Sequence, residues 1–238
     1  MVHLIPTLDQ ARLIKTLIMF LDHAMPACAQ IDYRLVGTGA ALLHGVSLPA
    51  GDIDILVKER HSVDAFGSAL SSFRCLQAPA LLAGAHQYYA DYEVNGVEVQ
   101  ISTVEVASDA DTIETFGRGP WEHFALLPCG RYAVPTVALE LRLITELSRN
   151  RPDRYQPLIR FMRVQGCDLD FIRRGMAAAR LPQAMQDDVL NELGGEHPSG
   201  PRLNKAIDHS LWRQYDRNHS KRRGLSLPLL PHSLLSGR

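Results

Sequence analysis

Acidic and apolar residues alternate in the segment Asp52–Val57, and this pattern constrains the fold of the chain strongly. In a strand, Ile53, Ile55 and Val57 would face a core, while Asp52 and Asp54 would point from the opposite face. Residues two apart on a strand lie roughly 6.6 Å from each other. Two carboxylates held this close repel, which raises the pKa of one of them unless a cation or a base shares the site. A divalent metal such as Mg²⁺ is the simplest occupant.

A glycine turn, Gly37-Thr38-Gly39, precedes this strand and follows a short apolar stretch. Glycine permits positive φ and lets a ligand approach the backbone closely. Successive backbone N–H groups at a turn that opens a helix form an anion-binding concavity, and Thr38 adds a hydroxyl. A phosphate-binding turn beside metal-holding carboxylates is typical of phosphoryl or nucleotidyl transfer.

The 238-residue length suits one large domain or two modest ones, and 46% hydrophobic with 21% charged residues is ordinary for a soluble globular protein. Charge is divided unevenly along the chain. Residues 1–137 hold 8 Lys and Arg against 15 Asp and Glu, whereas residues 138–238 hold 17 against 11. The acidic part could hold metals and the basic part a polyanion or nucleotide, although mutual attraction of the two parts explains the asymmetry equally well.

The four cysteines are widely spaced and form no CxxC pair, which favours free thiols in a reducing cytoplasm over a zinc site. The N-terminus lacks the pattern of a signal peptide. The apolar stretch Leu13–Leu21 is too short and too interrupted to span a membrane. We therefore expect a cytoplasmic protein without a membrane partner.

Hydrophobic spacing and turn residues predict the elements of the N-terminal part. The first helix is expected to end at Pro26. Arg118–Phe124, within a loop-like stretch, would form either a lid over a substrate or a packed connection. The predicted elements are a helix that begins near residue 8, within an apolar repeat over 8–29, a strand at 32–36, a helix at 39–43, a strand at 52–57, a helix at 62–75, strands at 87–94 and 97–103, and a loop at 108–134.

The turn Asn95-Gly96 predicts that strands 87–94 and 97–103 form a hairpin. On the second strand, Glu98 and Gln100 share one face. Glu98 becomes a candidate third carboxylate if this strand lies beside Asp52–Val57, and an ordinary solvent-facing residue if it does not. Spacing alone does not separate these two interpretations.

From Thr136 onward the pattern is helical. The final twenty residues, with a basic run and two prolines, indicate a loose tail. Helices are predicted at 136–149, 153–165, 168–180, 183–194 and 203–218.

The order of glycine turn, helix and Asp-hydrophobic-Asp strand resembles the nucleotidyltransferase superfamily whose archetype is DNA polymerase β. Its signature is a hydrophobic residue, Gly, and Gly or Ser, then about nine to thirteen residues, then Asp-hydrophobic-Asp or Glu. Here Val36-Gly37-Thr38 and Asp52-Ile53-Asp54 match it with thirteen residues between them. Thr38 replaces the usual Ser and keeps the hydroxyl.

The stretch Val134–Leu158 resembles the small bacterial members of the antibiotic-modifying or toxin type, so that the resemblance covers roughly residues 30–165 in all. The matching features are Val134-Pro135, Glu140 on a helix, and Arg151-Pro152-Asp153 after it. The lysine that those members carry in the helix aligns with Glu146, which is a departure from the pattern.

The resemblance implies an α+β fold, in which a small mixed β-sheet flanked by helices forms a polymerase β-like core that precedes a C-terminal helical region. We expect the core with its N-terminal helix in residues 1–135, the helical region in 136–220, and a flexible tail in 221–238.

The resemblance also implies a reaction. A nucleoside monophosphate would pass from an NTP, expected to be ATP, to an acceptor hydroxyl, with release of pyrophosphate and the help of two Mg²⁺ ions. The implied catalytic and metal-binding residues are Asp52, Asp54 and Glu98, and the implied nucleotide-binding residues are Gly37, Thr38 and Gly39.

The implied acceptor is a small molecule, a tRNA or a protein side chain. The near-neutral net charge argues against a protein that grips long duplex nucleic acid. A tRNA acceptor stays open because arginines of the basic part could line one face, although solvated helix arginines are the simpler interpretation. These arginines are Arg142, Arg149, Arg151, Arg154, Arg160 and Arg163.

Two other functions stay open. One is a catalytically silent nucleotidyltransferase-like binding module of the toxin–antitoxin type, which the Glu146 departure favours, as does loss of the third acid if Gln100 occupies its position. The other is an unrelated metal-dependent phosphohydrolase that uses Asp52 and Asp54.

Overall fold

The computed structural model describes residues 8–82, 87–105 and 113–194, all within one compact unit. In these ranges, seven strands form a single mixed sheet. The strands are β1 (Tyr33–Val36), β2 (Asp52–Val57), β3 (Arg74–Leu82), β4 (Gln87–Val94), β5 (Val97–Ser102), β6 (Phe124–Cys129) and β7 (Tyr132–Val137). The helices are α1 (Gln10–Cys28), α2 (Gly37–His44), α3 (Arg60–Ala69), α4 (Gly119–Glu122), α5 (Leu139–Ser148), α6 (Pro152–Gln165), α7 (Leu169–Ala178) and α8 (Gln183–Gly194).

The strand order is β3-β4-β5-β2-β1-β7-β6, so β2 lies at the centre. It pairs antiparallel with β1 and parallel with β5. Ile53 of β2 and Val99 of β5 are fully buried, and α1 and α3 contribute to the same core, where the rings of Phe20 and Phe66 stack 5.6 Å apart. The predicted α+β fold with a mixed sheet is confirmed. We call the opposite face of the sheet, which carries the acids of β2 and β5, the polar face.

The predicted hairpin is confirmed. Asn95 and Gly96 have φ values of 55° and 67°, which is the pair of positive values that a two-residue type I′ turn needs. This turn places Val94 opposite Val97 and fixes the register of β4 and β5.

Three predictions for the N-terminal part are wrong. The helix expected at 62–75 spans Arg60–Ala69, and the residues after it form β3. This edge strand carries Pro79 and two register irregularities, so it lacks the alternation that marks a half-buried strand. Of the loop expected at 108–134, residues 108–112 lie outside the described residues, and the remainder contains α4, β6 and the start of β7. Helix α1 continues past Pro26 to Cys28, because a proline in the last turn removes only one helical hydrogen bond.

The four helices predicted between 136 and 194 are confirmed, although α5 begins at Leu139 because β7 extends to Val137. They form a second apolar cluster around Leu143, Leu158 and Ile172. Ala41 of α2 belongs to this cluster, so α2 connects it to the sheet. The predicted helix at 203–218 and the tail lie outside the described residues, and the domain division at residue 135 stays a prediction.

No helix in the described ranges is long and apolar enough to cross a membrane.

Close packing between α5 and α7 depends on Gly175. A Cβ at this position would lie 2.2 Å from Ile144 Cδ1. We expect Gly175→Ala to lower the free energy of unfolding by about 1–2 kcal/mol, because the clash exceeds the gain in helix propensity. Ile144→Val removes the clashing methyl group. In a double-mutant cycle measured by urea denaturation, the two changes should therefore couple favourably by about 1 kcal/mol, and strictly additive effects would contradict the prediction.

Candidate active site

The glycine turn and the acidic strand form a single site. Gly37 is the first residue of α2 and follows β1 directly, and Val36 pairs with Asp54 across the sheet. Gly37 has a φ of +68°, and a Cβ on it would lie 2.1 Å from Asp54 Oδ2. Only glycine combines this backbone conformation with such a close carboxylate. The glycine turn and the acidic strand, which are separate motifs in the sequence, are thus in contact in the structure.

The third acid expected from the hairpin lies beside the first. Strands β2 and β5 run parallel with Asp52 opposite Glu98 and Asp54 opposite Gln100, so all four side chains share one face of the sheet. Gln100 Nε2 donates a hydrogen bond to Glu98 Oε1 at 2.9 Å. Of the two interpretations of Glu98, the structure therefore favours the one that places it next to the aspartates.

Asp91 is a fourth acid that the sequence analysis missed. It lies on β4 opposite Gln100, only 4% of it is exposed, and Tyr89 donates a hydrogen bond to its Oδ2 at 3.0 Å. Asp91 Oδ1 is buried and has no hydrogen-bond partner in the described part of the chain. Burial, followed by the nearby carboxylate of Glu98, raises the pKa of Asp91 to about 7. The register set by the two-residue turn could have predicted this position, because it pairs residue 91 with residue 100.

Burial and mutual repulsion perturb the acids of β2. Burial, followed by the nearby charges of Asp52 and Glu114, raises the pKa of Asp54 to about 7 even though Arg142 opposes the shift. Burial and the charge of Glu98 likewise raise the pKa of Asp52. Both carboxylates would therefore be stabilised by an added cation.

A buried ion network lies behind the glycine turn. Glu114 Oε1 accepts the Gly37 N–H at 2.6 Å, and Glu114 Oε2 accepts Arg142 Nη1 at 2.7 Å. Arg142 also pairs with Glu146, one helical turn along α5. The three side chains are 1–3% exposed. The four-residue spacing on one helix could have predicted the Arg142–Glu146 ion pair. The sequence around Glu114 does not indicate that its partners are Gly37 and Arg142.

Thr38, expected to meet a phosphate, contacts an arginine. Arg154 Nη1 donates a hydrogen bond to Thr38 Oγ1 at 2.9 Å. Arg154 also lies 3.8 Å from Glu146, and its Nε is buried without a hydrogen-bond partner among the described residues. At the position where the family pattern has a lysine, this chain thus has Glu146, and its negative charge lies between the positive charges of Arg142 and Arg154.

The arginines of the basic part do not form one surface. Arg142 is buried in the ion network, and Arg154 is half-buried at the glycine turn. The others are exposed, and they are Arg149, Arg151, Arg160 and Arg163.

The segment Arg118–Phe124 packs against β1. Arg34 Nε donates a hydrogen bond to the Pro120 carbonyl at 3.0 Å, and the guanidinium lies 3.8 Å from the centre of the Phe124 ring. Of the two roles left open for this segment, the structure supports a packed connection.

The acids fit a hard divalent cation in part. Mg²⁺ commonly takes one or two carboxylates and fills its other positions with water and phosphate, and Asp52 with Asp54 suits that requirement. In residues 8–82, 87–105 and 113–194, no group of three His, Cys, Asp or Glu side chains is arranged to hold a metal. The assignment of Glu98 as a third ligand, and with it the second ion, stays a prediction.

Gly37→Ala tests the contact with Asp54. We expect this change to lower the free energy of unfolding by more than about 2 kcal/mol, because alanine is strained at positive φ and its methyl group would displace the carboxylate. Gly51→Ala is the matched control, since nothing lies within 4 Å of the added carbon. Equal denaturation midpoints for the two variants would contradict the predicted contact.

Asp54→Asn tests the buried charge. The pKa of Asp54 in the folded protein lies above that of the unfolded chain, so its ionisation costs stability as pH rises from about 4 to about 7. The gain in free energy of unfolding from Asn, measured without metal, should be about 2 kcal/mol larger at pH 8 than at pH 5. Asp188→Asn, at an exposed position on α8, is the control and should show no such difference. If the gain in free energy of unfolding from Asp54→Asn is the same at both pH values, the predicted cost of ionising Asp54 is wrong.

The sequence matches no protein-family model and no curated protein. Solved structures do resemble it. A candidate nucleotidyltransferase from Thermotoga maritima is 14% identical with a TM-score of 0.47, and the match covers 67% of this chain and 98% of that one. ANT(2'')-Ia, in complex with adenylyl-2''-tobramycin, is 13% identical with a TM-score of 0.47, covering 70% and 96%. An antigenic nucleotidyltransferase-like protein from Paracoccidioides brasiliensis is 12% identical with a TM-score of 0.44, covering 84% and 100%.

These identities and TM-scores carry no information about activity, which has to be judged from the site residues. In structure, the chain is similar to these three proteins.

Proposed function

We propose that the protein is a Mg²⁺-dependent nucleotidyltransferase that moves a nucleoside monophosphate from an NTP, most simply ATP, to an acceptor hydroxyl and releases pyrophosphate. The observation that carries the proposal is the contact between Gly37 and the Asp54 carboxylate. It supports the proposal because it brings a glycine turn at a helix N-terminus together with the carboxylate pair of β2, and a metal–triphosphate complex would need both.

In this proposal, Asp52 and Asp54 hold Mg²⁺, which when bound would stabilise negative charge on the attacking and leaving oxygens at the α-phosphorus. Backbone N–H groups of Gly37 and Gly39 and the hydroxyl of Thr38 bind the β- and γ-phosphates. Arg154 contacts Thr38 and keeps one N–H without a partner in the described ranges, so it would add positive charge beside those phosphates.

Glu98 would accept the proton of the acceptor hydroxyl or complete the metal site. It lies next to Asp52 in the sheet and is held by Gln100. A general base has to lie within hydrogen-bond reach of the proton that it removes, and a position on the same face as the aspartates is suited to this role.

The acceptor is proposed as a small molecule, a tRNA or a protein. Incubation with each labelled NTP and Mg²⁺, in the presence of an aminoglycoside panel, total tRNA or protein extract, would identify it, because the labelled fraction names the acceptor class. The chemical form of the released phosphate adds a second result. Orthophosphate instead of pyrophosphate would favour a phosphohydrolase.

A silent nucleotide-binding module is a second candidate. Two groups of the turn that would meet phosphates, the Gly37 N–H and the Thr38 hydroxyl, already have side-chain partners in Glu114 and Arg154. Calorimetry with ATP and Mg²⁺ separates the candidates, since tight binding without pyrophosphate release across the acceptor panel favours the silent module.

The proposal predicts that Asp52→Asn and Asp54→Asn each lower pyrophosphate release by more than about 100-fold, because each removes a negative ligand of the metal. The Asp188→Asn variant should retain the rate of the unaltered protein. Unchanged turnover in Asp54→Asn would overturn the proposed function.

A further inference from the structure

We infer that Glu114 is a built-in competitor for the phosphate-binding turn: its carboxylate takes the Gly37 N–H that a polyphosphate would take, and it has to leave before the polyphosphate binds tightly. This inference rests on the proposed function, because it concerns the same turn. The step that it adds to that function is the departure of the Glu114 carboxylate from the Gly37 N–H.

The first support is the chemical equivalence of the two anions. The N-terminus of a helix attracts negative charge, since its first N–H groups lack partners within the helix. At α2, the Gly37 N–H donates to Glu114 at 2.6 Å, and the same carboxylate accepts Arg142 Nη1 at 2.7 Å. A backbone N–H and a guanidinium N–H are also the donors that bind phosphate oxygens. A phosphate that replaced the carboxylate would meet both donors.

The second support is that the local structure has other means of holding Arg142. Glu146 pairs with Arg142 from the next turn of α5, so withdrawal of Glu114 would not leave the buried guanidinium without a carboxylate. Neutralising Arg142 therefore does not require both acids.

The third support is the cost of a negative charge at this place. Glu114 is 1% exposed and binds the N–H of Gly37, the residue that lies against the Asp54 carboxylate, so two negative groups flank one glycine. A neutral amide could accept the Gly37 N–H without that repulsion. A carboxylate here opposes the approach of a further anion, which is the property expected of a competitor.

The position of Glu114 in the chain is compatible with its displacement. It lies in the irregular segment 113–118, which belongs to neither a helix nor a strand. Its withdrawal therefore breaks no strand pairing or helical hydrogen bond.

The test is calorimetric titration of the full-length protein with sodium tripolyphosphate in EDTA, which removes divalent metal and leaves the turn as the binding site. We expect Glu114→Gln and Glu114→Ala to lower the Kd at least tenfold relative to the unaltered protein. Glu146→Gln is the matched control, because it removes one negative charge from the same arginine without touching Gly37. We expect its Kd to change less than threefold.

A Kd that is unchanged or raised in both Glu114 variants would overturn the inference, provided that their thermal unfolding stays cooperative. Equal tightening in Glu146→Gln would also overturn it, since the effect would then be general electrostatics. If the Glu114 variants do not fold, the Gly37 amide resonance of the unaltered protein decides. Saturating tripolyphosphate should shift this resonance strongly, and an unmoved resonance would contradict displacement.

These titrations, combined with the titration of ATP and Mg²⁺ under the proposed function, distinguish failure of this inference from failure of the proposed function. If the unaltered protein binds ATP with Mg²⁺ but neither Glu114 variant binds tripolyphosphate more tightly, only the inference fails. If no variant binds either ligand at millimolar concentration, the proposed function fails as well.

Discussion

Buried negative charge is the constraint on which the rest of this structure depends. The Asp54 carboxylate lies so close to the Cα of Gly37 that no side chain fits there, and the charges of Asp52 and Glu114 are nearby. Groups of like charge gathered at low exposure cost free energy unless cations compensate them. Arg142 and Arg154 provide part of this compensation. Because both arginines come from the helical region, that region completes the site electrostatically as well as packing beside the sheet.

The clustering of these carboxylates lowers the stability of the fold and would favour the binding of a cation. Acids whose pKa values are raised are poorly neutralised by the protein alone, and a divalent cation would supply the missing positive charge. The buried Glu114 carboxylate belongs to the same balance, since it satisfies the first N–H of α2 and adds to the repulsion at Asp54. The mutual repulsion of these acids would be reduced by a bound cation.

Local patterns in the sequence predicted the parts of the fold that local chemistry decides. The pattern at Asp52–Val57 predicted a strand with two acids on one face, and Asn95-Gly96 predicted the hairpin. The place of Glu98 stayed open in the sequence, because it depends on the pairing of β5 with β2. Strand β3 was missed because an exposed edge strand with a proline lacks alternation. The partner of Gly37 could not be predicted, because residues 37 and 114 are far apart in sequence and only the tertiary fold brings them together.

The two-residue turn at Asn95-Gly96 has a consequence for how this chain tolerates change. Successive residues of β5 alternate between the core and the polar face, so the turn sets the phase of the whole strand. An insertion of one residue that the turn did not absorb would send Glu98 into the core and bring Val97 and Val99 to the polar face. The turn therefore determines which side chains of β5 lie on the polar face, although the turn itself contains no acidic residue. We expect homologous chains to vary the residues of this bend more freely than its length.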